Sequence, residues 1–96
     1  MTTRQELDVA LRALKPELIA RFHVRQLGYF GSFAADLAGP DSDVDILAEF
    51  SQTPGWDFFE LEEVLETALG RRVDLVTPQA LKAQLRDQIL AQVRYV

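Results

Sequence analysis

The chain has 96 residues, of which 48% are hydrophobic, and it carries a formal net charge of −5 and no cysteine. This composition excludes a disordered chain, a disulfide-stapled scaffold and a thiolate metal site. Its acidity argues against a stand-alone nucleic-acid binder, which needs a basic face to neutralise phosphates, and suits a basic protein partner. We expect one domain over residues 1–96 in a reducing cytoplasm. The polar N-terminus is unlike a signal peptide, and no apolar run approaches the roughly 20 residues of a membrane span.

The first part of the chain is predicted to form a long helix. Thr2 or Thr3 can cap it, since Glu6 follows Thr3 at the spacing of a capping box. Pro16 interrupts the helix, so we expect either a second helical segment that starts there or one kinked helix that ends near Phe22. Leucines recur at helical spacing on one face, namely Leu7, Leu11, Leu14 and Leu18.

A short strand, a glycine-serine pair and a short helix are predicted next. The strand covers residues 25–30, and Gly31 directly after it terminates the strand. The helix covers residues 33–37, so its N-terminus directly follows Gly31 and Ser32. A glycine and a serine at such a turn can present backbone N–H groups and a hydroxyl to a phosphate.

The second predicted strand, residues 43–50, carries two aspartates. Side chains alternate faces along a strand, so the carboxylates of Asp43 and Asp45 are expected on one face. Val44 and Ile46 then point to the opposite face, into the core. Two carboxylates with no basic residue between them repel each other, and a hard divalent cation such as Mg²⁺ removes that repulsion.

The rest of the chain is predicted to supply a helix, a third strand and a last helical segment. The helix covers residues 56–69 and ends at Gly70; its acidic side is either a solvated face or a contact surface for a basic partner. Asp74 is the one acidic residue of the third strand, residues 71–76, where a charge is costly unless it is paired or bound to a metal. The last helical segment starts at Pro78 and is expected to place on one face Leu81, Leu85, Ile89 and Val93.

One pattern links these elements: Gly31-Ser32, ten intervening residues, then Asp43-x-Asp45. It resembles the signature of the DNA polymerase β-like nucleotidyltransferase superfamily. The chain length and the run Gly-Arg-Arg-Val-Asp-Leu-Val at residues 70–76 resemble its minimal nucleotidyltransferases (MNT), the antitoxin partners of HEPN-domain ribonuclease toxins. The resemblance implies an α/β fold, with a small mixed sheet of three or four strands and helices packed mainly on one face.

The resemblance also implies a site and a reaction. Asp43, Asp45 and Asp74 would bind two Mg²⁺ ions, and Asp74 could also take the proton of the acceptor. Gly31 and Ser32 would hold the β- and γ-phosphates of ATP. A tyrosine hydroxyl of the HEPN toxin would attack the α-phosphate, so that AMP is transferred, pyrophosphate leaves and the ribonuclease is silenced. The two proteins are expected to form a hetero-oligomer without direct contact to nucleic acid or membrane.

The chain departs from the family pattern at one point. Family members often read Gly-Ser-x-Ala-Arg-Gly, whereas Ala35 and Asp36 replace the arginine and the glycine here. This change removes a possible phosphate contact and places a carboxylate near the expected triphosphate. It motivates an alternative, a binding-only antitoxin that masks its toxin sterically. A third interpretation, a small-molecule nucleotidyltransferase, is disfavoured because larger relatives use a second domain to bind their acceptor.

Overall fold

The computed structural model describes residues 3–96. Its elements, in chain order, are helix α1 (Arg4–Phe22), strand β1 (Val24–Phe30), helix α2 (Gly31–Ala34), strand β2 (Val44–Phe50), helix α3 (Asp57–Leu69), strand β3 (Val73–Val76), a 3-10 turn (Pro78–Ala80), helix α4 (Ala83–Gln92) and strand β4 (Arg94–Tyr95). The strands form one sheet in the order β3-β2-β1-β4. Strand β1 runs antiparallel to β2 and β4, and β2 runs parallel to β3. The predicted α/β fold with a small mixed sheet is confirmed.

Helix α1 is continuous through Pro16, so the prediction of one helix is confirmed and the alternative of a second helical segment is wrong. At its start, Thr3 Oγ1 accepts a hydrogen bond from the Glu6 N–H at 3.1 Å, which satisfies one of the unpaired donors of the first turn. Thr2, the other predicted cap, lies outside the described residues. At its end, His23 adopts the left-handed conformation with φ of 60° and caps the helix.

The hydrophobic core lies between the sheet and the two long helices. Leucines from one face of α1 and one face of α3 meet the apolar side chains of β1, β2 and β3 there. The buried members from the helices are Leu7, Leu11, Leu18, Phe22, Leu61, Leu65 and Leu69, and those from the strands include Leu27, Tyr29, Val44, Ile46, Val73 and Leu75. Both helices therefore cover the same face of the sheet, as expected. Within residues 3–96, no helix combines the length and apolar character needed to cross a bilayer.

Several element boundaries differ by one or two residues from the predicted ones. Strand β2 begins at Val44, so Asp43 lies just before the strand rather than in it. Strand β3 begins at Val73, two residues later than predicted, while β1 and α3 shift by one residue each. Gly70 caps α3 with φ of 65°, as predicted, because the left-handed conformation is easily reached without a Cβ.

The C-terminal segment differs most from the prediction. A 3-10 turn precedes α4, so Leu81 lies outside the helix in which it was expected. Val93 does not extend the helical stripe either, because the helix ends before it and the chain turns into β4. This two-residue strand pairs with β1, with Tyr95 opposite Gly28. No described residue of α4 is fully buried.

Helix α2 covers Gly31–Ala34 rather than the predicted residues 33–37, so Gly31 and Ser32 belong to the helix instead of preceding it. The end of this helix bears on Asp36, where the sequence departs from the family pattern. The Asp36 N–H donates to the Phe33 carbonyl at 3.1 Å, and the Leu37 N–H donates to the Ser32 carbonyl at 2.8 Å. Asp36 itself is left-handed, with φ of 61°. Helices with this ending usually place glycine at the left-handed position. The glycine that family members often have at this position therefore suits the left-handed backbone, which aspartate adopts only with strain.

We predict that Asp36→Gly stabilises the protein, because it relieves a side chain from a left-handed backbone. The free energy of unfolding should rise by about 0.5–1 kcal/mol. This is the strain relieved at the left-handed position, less the extra conformational entropy that glycine gives the unfolded state. Thermal unfolding followed by circular dichroism would show a higher midpoint. Asp36→Ala is the matched control, since it removes the carboxylate but keeps the strain. An equal gain in both variants would show that charge, not conformation, is the cause.

Candidate active site

Strand pairing brings the predicted aspartates together. Strands β2 and β3 are parallel neighbours, and Asp45 is the register partner of Asp74. Asp43 lies directly before β2. Val44 and Ile46 are fully buried in the core, so the alternation predicted for this strand is confirmed. The aspartates consequently lie on the sheet face away from α1 and α3.

Asp45 has the most constrained electrostatic environment of the three. It is half-buried, whereas Asp43 and Asp74 are exposed. Burial raises the pKa of Asp45 above its ordinary value, and the neighbouring negative charges of Asp74 and Asp43 raise it further. Both effects disfavour the charged carboxylate. A cation placed among these side chains would favour it again.

Gly31 lies directly against the Asp45 carboxylate. Phe30 is the register partner of Asp45, so the chain enters α2 just beside it. Gly31 has φ of 69°, and a Cβ added there would collide with Asp45, with the Asp45 Cγ only 3.1 Å away. Ser32 follows, partly buried, in the single turn of α2. The structure therefore brings Gly31 beside the pair Asp45 and Asp74, and these residues with Ser32 and Asp43 make up the candidate site.

The donor chemistry of this site fits Mg²⁺. All three side chains offer carboxylate oxygens, the ligands that hard cations take, and burial together with the charges of Asp74 and Asp43 raises the pKa of Asp45. As placed, no three His, Cys, Asp or Glu side chains within residues 3–96 are gathered into a ready metal cage. His23 is exposed at the opposite end of β1 from Gly31.

The carboxylate of Asp36 lies in different surroundings from the three aspartates. It lines a shallow cavity of about 490 Å³, together with Arg4, Asp8 and Arg94. Neither Asp45 nor Asp74 lines this cavity. The cavity therefore places basic as well as acidic side chains around Asp36. Ala35 is exposed and supplies no cation.

The side chain of Arg71 contacts main-chain carbonyls of the turn before Asp43, and this role was not predicted from the sequence. Its Nη1 donates to the carbonyls of Gly39, Pro40 and Ser42 at 3.1, 3.2 and 2.8 Å. Its guanidinium also lies 5.2 Å from the centre of the Phe33 ring. In the sequence, only the position of Arg71 two residues before β3 could have drawn attention to it. Every residue has a main-chain carbonyl, so hydrogen bonds to carbonyls leave no sequence pattern from which this role could be predicted.

Comparison with known proteins decides the family. The sequence profile of the nucleotidyltransferase domain matches residues 11–96. The chain is 47% identical to the protein adenylyltransferase MntA of Thermococcus cleftensis, over all of this chain and 98% of that protein. The chain belongs to the MntA-like minimal nucleotidyltransferases. By this homology the minimal nucleotidyltransferase described here is an enzyme, a protein adenylyltransferase with ATP as its implied substrate.

Solved structures agree with this assignment. An inferred minimal nucleotidyltransferase, 33% identical, superposes with a TM-score of 0.84 over 98% of this chain and 96% of its own. A chain of a toxin–antitoxin complex with AMP-PNP is 25% identical, with a TM-score of 0.69 over 96% of this chain and 70% of its own. An MNT antitoxin complexed with the tri-AMPylated HEPN toxin of Shewanella oneidensis shares the fold, at 24% identity and a TM-score of 0.59 over 96% of this chain and 66% of the other.

We predict that Asp45→Asn raises the thermal midpoint of the metal-free protein at neutral pH. Because the folded-state pKa of Asp45 is raised, ionisation of Asp45 destabilises the folded protein. This destabilisation is absent below the unfolded-state pKa and complete above the folded-state pKa. The gain in the variant should therefore shrink as the pH falls toward the ordinary range of an aspartate. Asp41→Asn, on the exposed turn nearby, is the control. A gain that does not depend on pH would contradict this electrostatic origin.

We also predict that Gly31→Ala destabilises the protein more than Gly70→Ala does. Both glycines are left-handed, but an added Cβ at Gly70 meets nothing within 4 Å. The backbone cost of about 1–2 kcal/mol is common to both variants, and only Gly31→Ala adds the collision with Asp45. Chemical denaturation measures the difference in the free energy of unfolding. Adding Asp45→Ala to Gly31→Ala should recover most of that difference, and failure to recover it would place the clash elsewhere.

Proposed function

We propose that this chain transfers AMP from ATP to a tyrosine hydroxyl of a HEPN-type ribonuclease toxin and thereby neutralises it. The observation that carries the proposal is the pairing of Asp45 with Asp74 directly beside Gly31. Its scaffold matches a protein adenylyltransferase over the whole chain. A purely structural strand would gain nothing from this arrangement, since burial and the charges of Asp74 and Asp43 raise the pKa of Asp45 and so oppose its ionisation.

Each residue of the site takes a distinct role in this proposal. Asp43, Asp45 and Asp74 would hold Mg²⁺, which when bound neutralises phosphate charge and favours attack on the α-phosphate. Gly31, through its backbone, and Ser32, through its hydroxyl, would hold the β- and γ-phosphates. The acceptor oxygen forms a bond to the α-phosphorus as the bond to the pyrophosphate oxygen breaks. Asp74, the most accessible side chain of the strand pair, would accept the proton of the acceptor hydroxyl.

The partner is proposed from charge and from the similar structures. A net charge of −5 favours association with a basic protein. The similar complexes hold a toxin with its antitoxin and AMP-PNP, and an MNT antitoxin with a tri-AMPylated HEPN toxin. We therefore propose a hetero-oligomer of this chain with a HEPN-type toxin in the cytoplasm, where both ATP and the ribonuclease's substrates are found.

A binding-only antitoxin is the second candidate. The observation in its favour is Ala35, an exposed residue without charge where family members often carry an arginine. Asp36 argues less strongly for it, because its left-handed backbone accounts for the family glycine and two arginines share its cavity. Such a protein would keep the fold and the complex while losing the reaction.

An adenylylation assay separates the two candidates. A purified HEPN-type toxin is incubated with this chain, Mg²⁺ and ATP labelled on the α-phosphate. We predict label on a partner tyrosine, and a loss of at least about 100-fold in Asp43→Ala and Asp45→Ala, as expected when a group that acts on the transition state is removed. Asp41→Ala, on the preceding turn, should keep the activity. A stable complex without label, and protection from the toxin that survives both substitutions, would favour the binding-only antitoxin.

Removal of metal provides an independent prediction. Mg²⁺ at about 100 times its dissociation constant should stabilise the folded protein by about 2.7 kcal/mol, because it binds the native state alone. The wild-type thermal midpoint should rise with Mg²⁺ and return with EDTA, whereas that of Asp45→Asn should not respond. Identical melting curves for the wild type in Mg²⁺ and in EDTA would argue against a shared metal site.

A further inference from the structure

The guanidinium of Arg71 connects the three segments that carry the candidate site. Arg71 itself lies two residues before β3, the strand of Asp74. Its three carbonyl acceptors, in Gly39, Pro40 and Ser42, belong to the turn that ends at Asp43. A half-buried cation with this many main-chain acceptors holds their relative positions more firmly than neutral hydrogen bonds do.

The same guanidinium reaches the segment of the Gly-Ser pair. It lies over the ring of Phe33, 5.2 Å from the ring centre. Phe33 is 1% exposed and is the one buried residue of α2, so it anchors that helix in the core. Since α2 begins at Gly31, a contact with Phe33 places the Gly-Ser pair relative to Arg71.

The turn preceding Asp43 needs such a connection. It closes on itself, since the Gly39 N–H donates to Ser42 Oγ at 2.8 Å and the Ser42 N–H donates to the Gly39 carbonyl at 3.2 Å. These bonds shape the turn, and directly after it the Val44 N–H donates to the Arg72 carbonyl at 2.9 Å, while both Pro40 and Asp41 at its tip are exposed. The bonds from Arg71 attach it to the chain that enters β3.

We propose that Arg71 is a positioning residue of the adenylyl-transfer site. By holding the turn, it sets Asp43 at a fixed place relative to Asp74 and to Gly31-Ser32. It contacts main-chain carbonyls and an aromatic ring, and it acts on the reaction through Asp43. This inference rests on the proposed function for its effect on transfer, but the placement of the turn is a property of the chain alone.

Arg71→Gln tests the proposal, with Arg72→Gln as the matched control for the loss of one positive charge from the neighbouring exposed residue. Arg71→Gln should lower kcat for AMP transfer by about 10–100-fold, the usual effect of removing an outer partner of a metal ligand, with little change in KM for the toxin. The Mg²⁺ concentration at half-maximal thermal stabilisation should rise by a similar factor. Arg71→Lys should restore part of both effects, because an ammonium donates to several carbonyls but lacks a planar face for Phe33.

Amide hydrogen exchange followed by NMR supplies a readout that does not depend on activity. In metal-free Arg71→Gln, exchange at Gly39, Ser42 and Val44 should become at least about tenfold faster, while the core amides of β1 keep their protection. Unchanged exchange in the turn, or a uniform loss of protection across the chain, would overturn the positioning role. A wild type with neither transfer nor a Mg²⁺ response would overturn the proposed function instead, and the exchange comparison would still decide whether Arg71 places the turn.

Discussion

Repulsion among the carboxylates around Asp45 is the constraint on which the arrangement of this protein depends. The parallel pairing of β2 and β3 places Asp74 beside Asp45, and Asp43 precedes them on the adjoining turn. Burial and these two neighbours raise the pKa of Asp45, so ionisation of this carboxyl group opposes folding. Stability alone would select against such a group. Its presence is understandable if this position is the metal and nucleotide site proposed above.

The fold accommodates the aspartates without disrupting the hydrophobic core. The apolar residues of β2 alternate with the aspartates, so the leucine core of α1 and α3 lies on the opposite face of the sheet. Gly31 has no side chain and can therefore bring its backbone against the Asp45 carboxylate. Arg71 places its positive charge on carbonyls of the neighbouring turn, where it orders the main chain. Rigid placement of the reacting groups is the main requirement of phosphoryl-group transfer, in which the protein contributes position and charge more than covalent chemistry.

Much of the fold and the candidate site could be predicted from local pattern. The alternation of β2, the leucine face of α1 and the glycine cap of α3 follow from periods of two and 3.6 residues and from one left-handed position. The register between Asp45 and Asp74 could not be read this way, because parallel pairing is set by tertiary packing; the family resemblance implied only that Asp74 lies beside the other two aspartates. Strand β4 was not placed, since two residues carry no periodicity. The roles of Asp36 and Arg71 depend on a φ angle and on distant carbonyls, and neither leaves a pattern of residue types.

The parallel pairing of β2 and β3 also has a consequence for how the chain matures. Parallel neighbours need a crossover between them, and here α3 with its two connections makes it. Such a crossover incurs a loop-closure entropy before its contacts form, so it belongs to the slow, non-local part of folding. A chain that has formed only the β1–β2 pair holds Asp45 and Gly31 but lacks Asp74 beside them. The candidate site is therefore complete only when β3 has paired with β2, and a nascent or degraded chain without β3 lacks Asp74 beside Asp45.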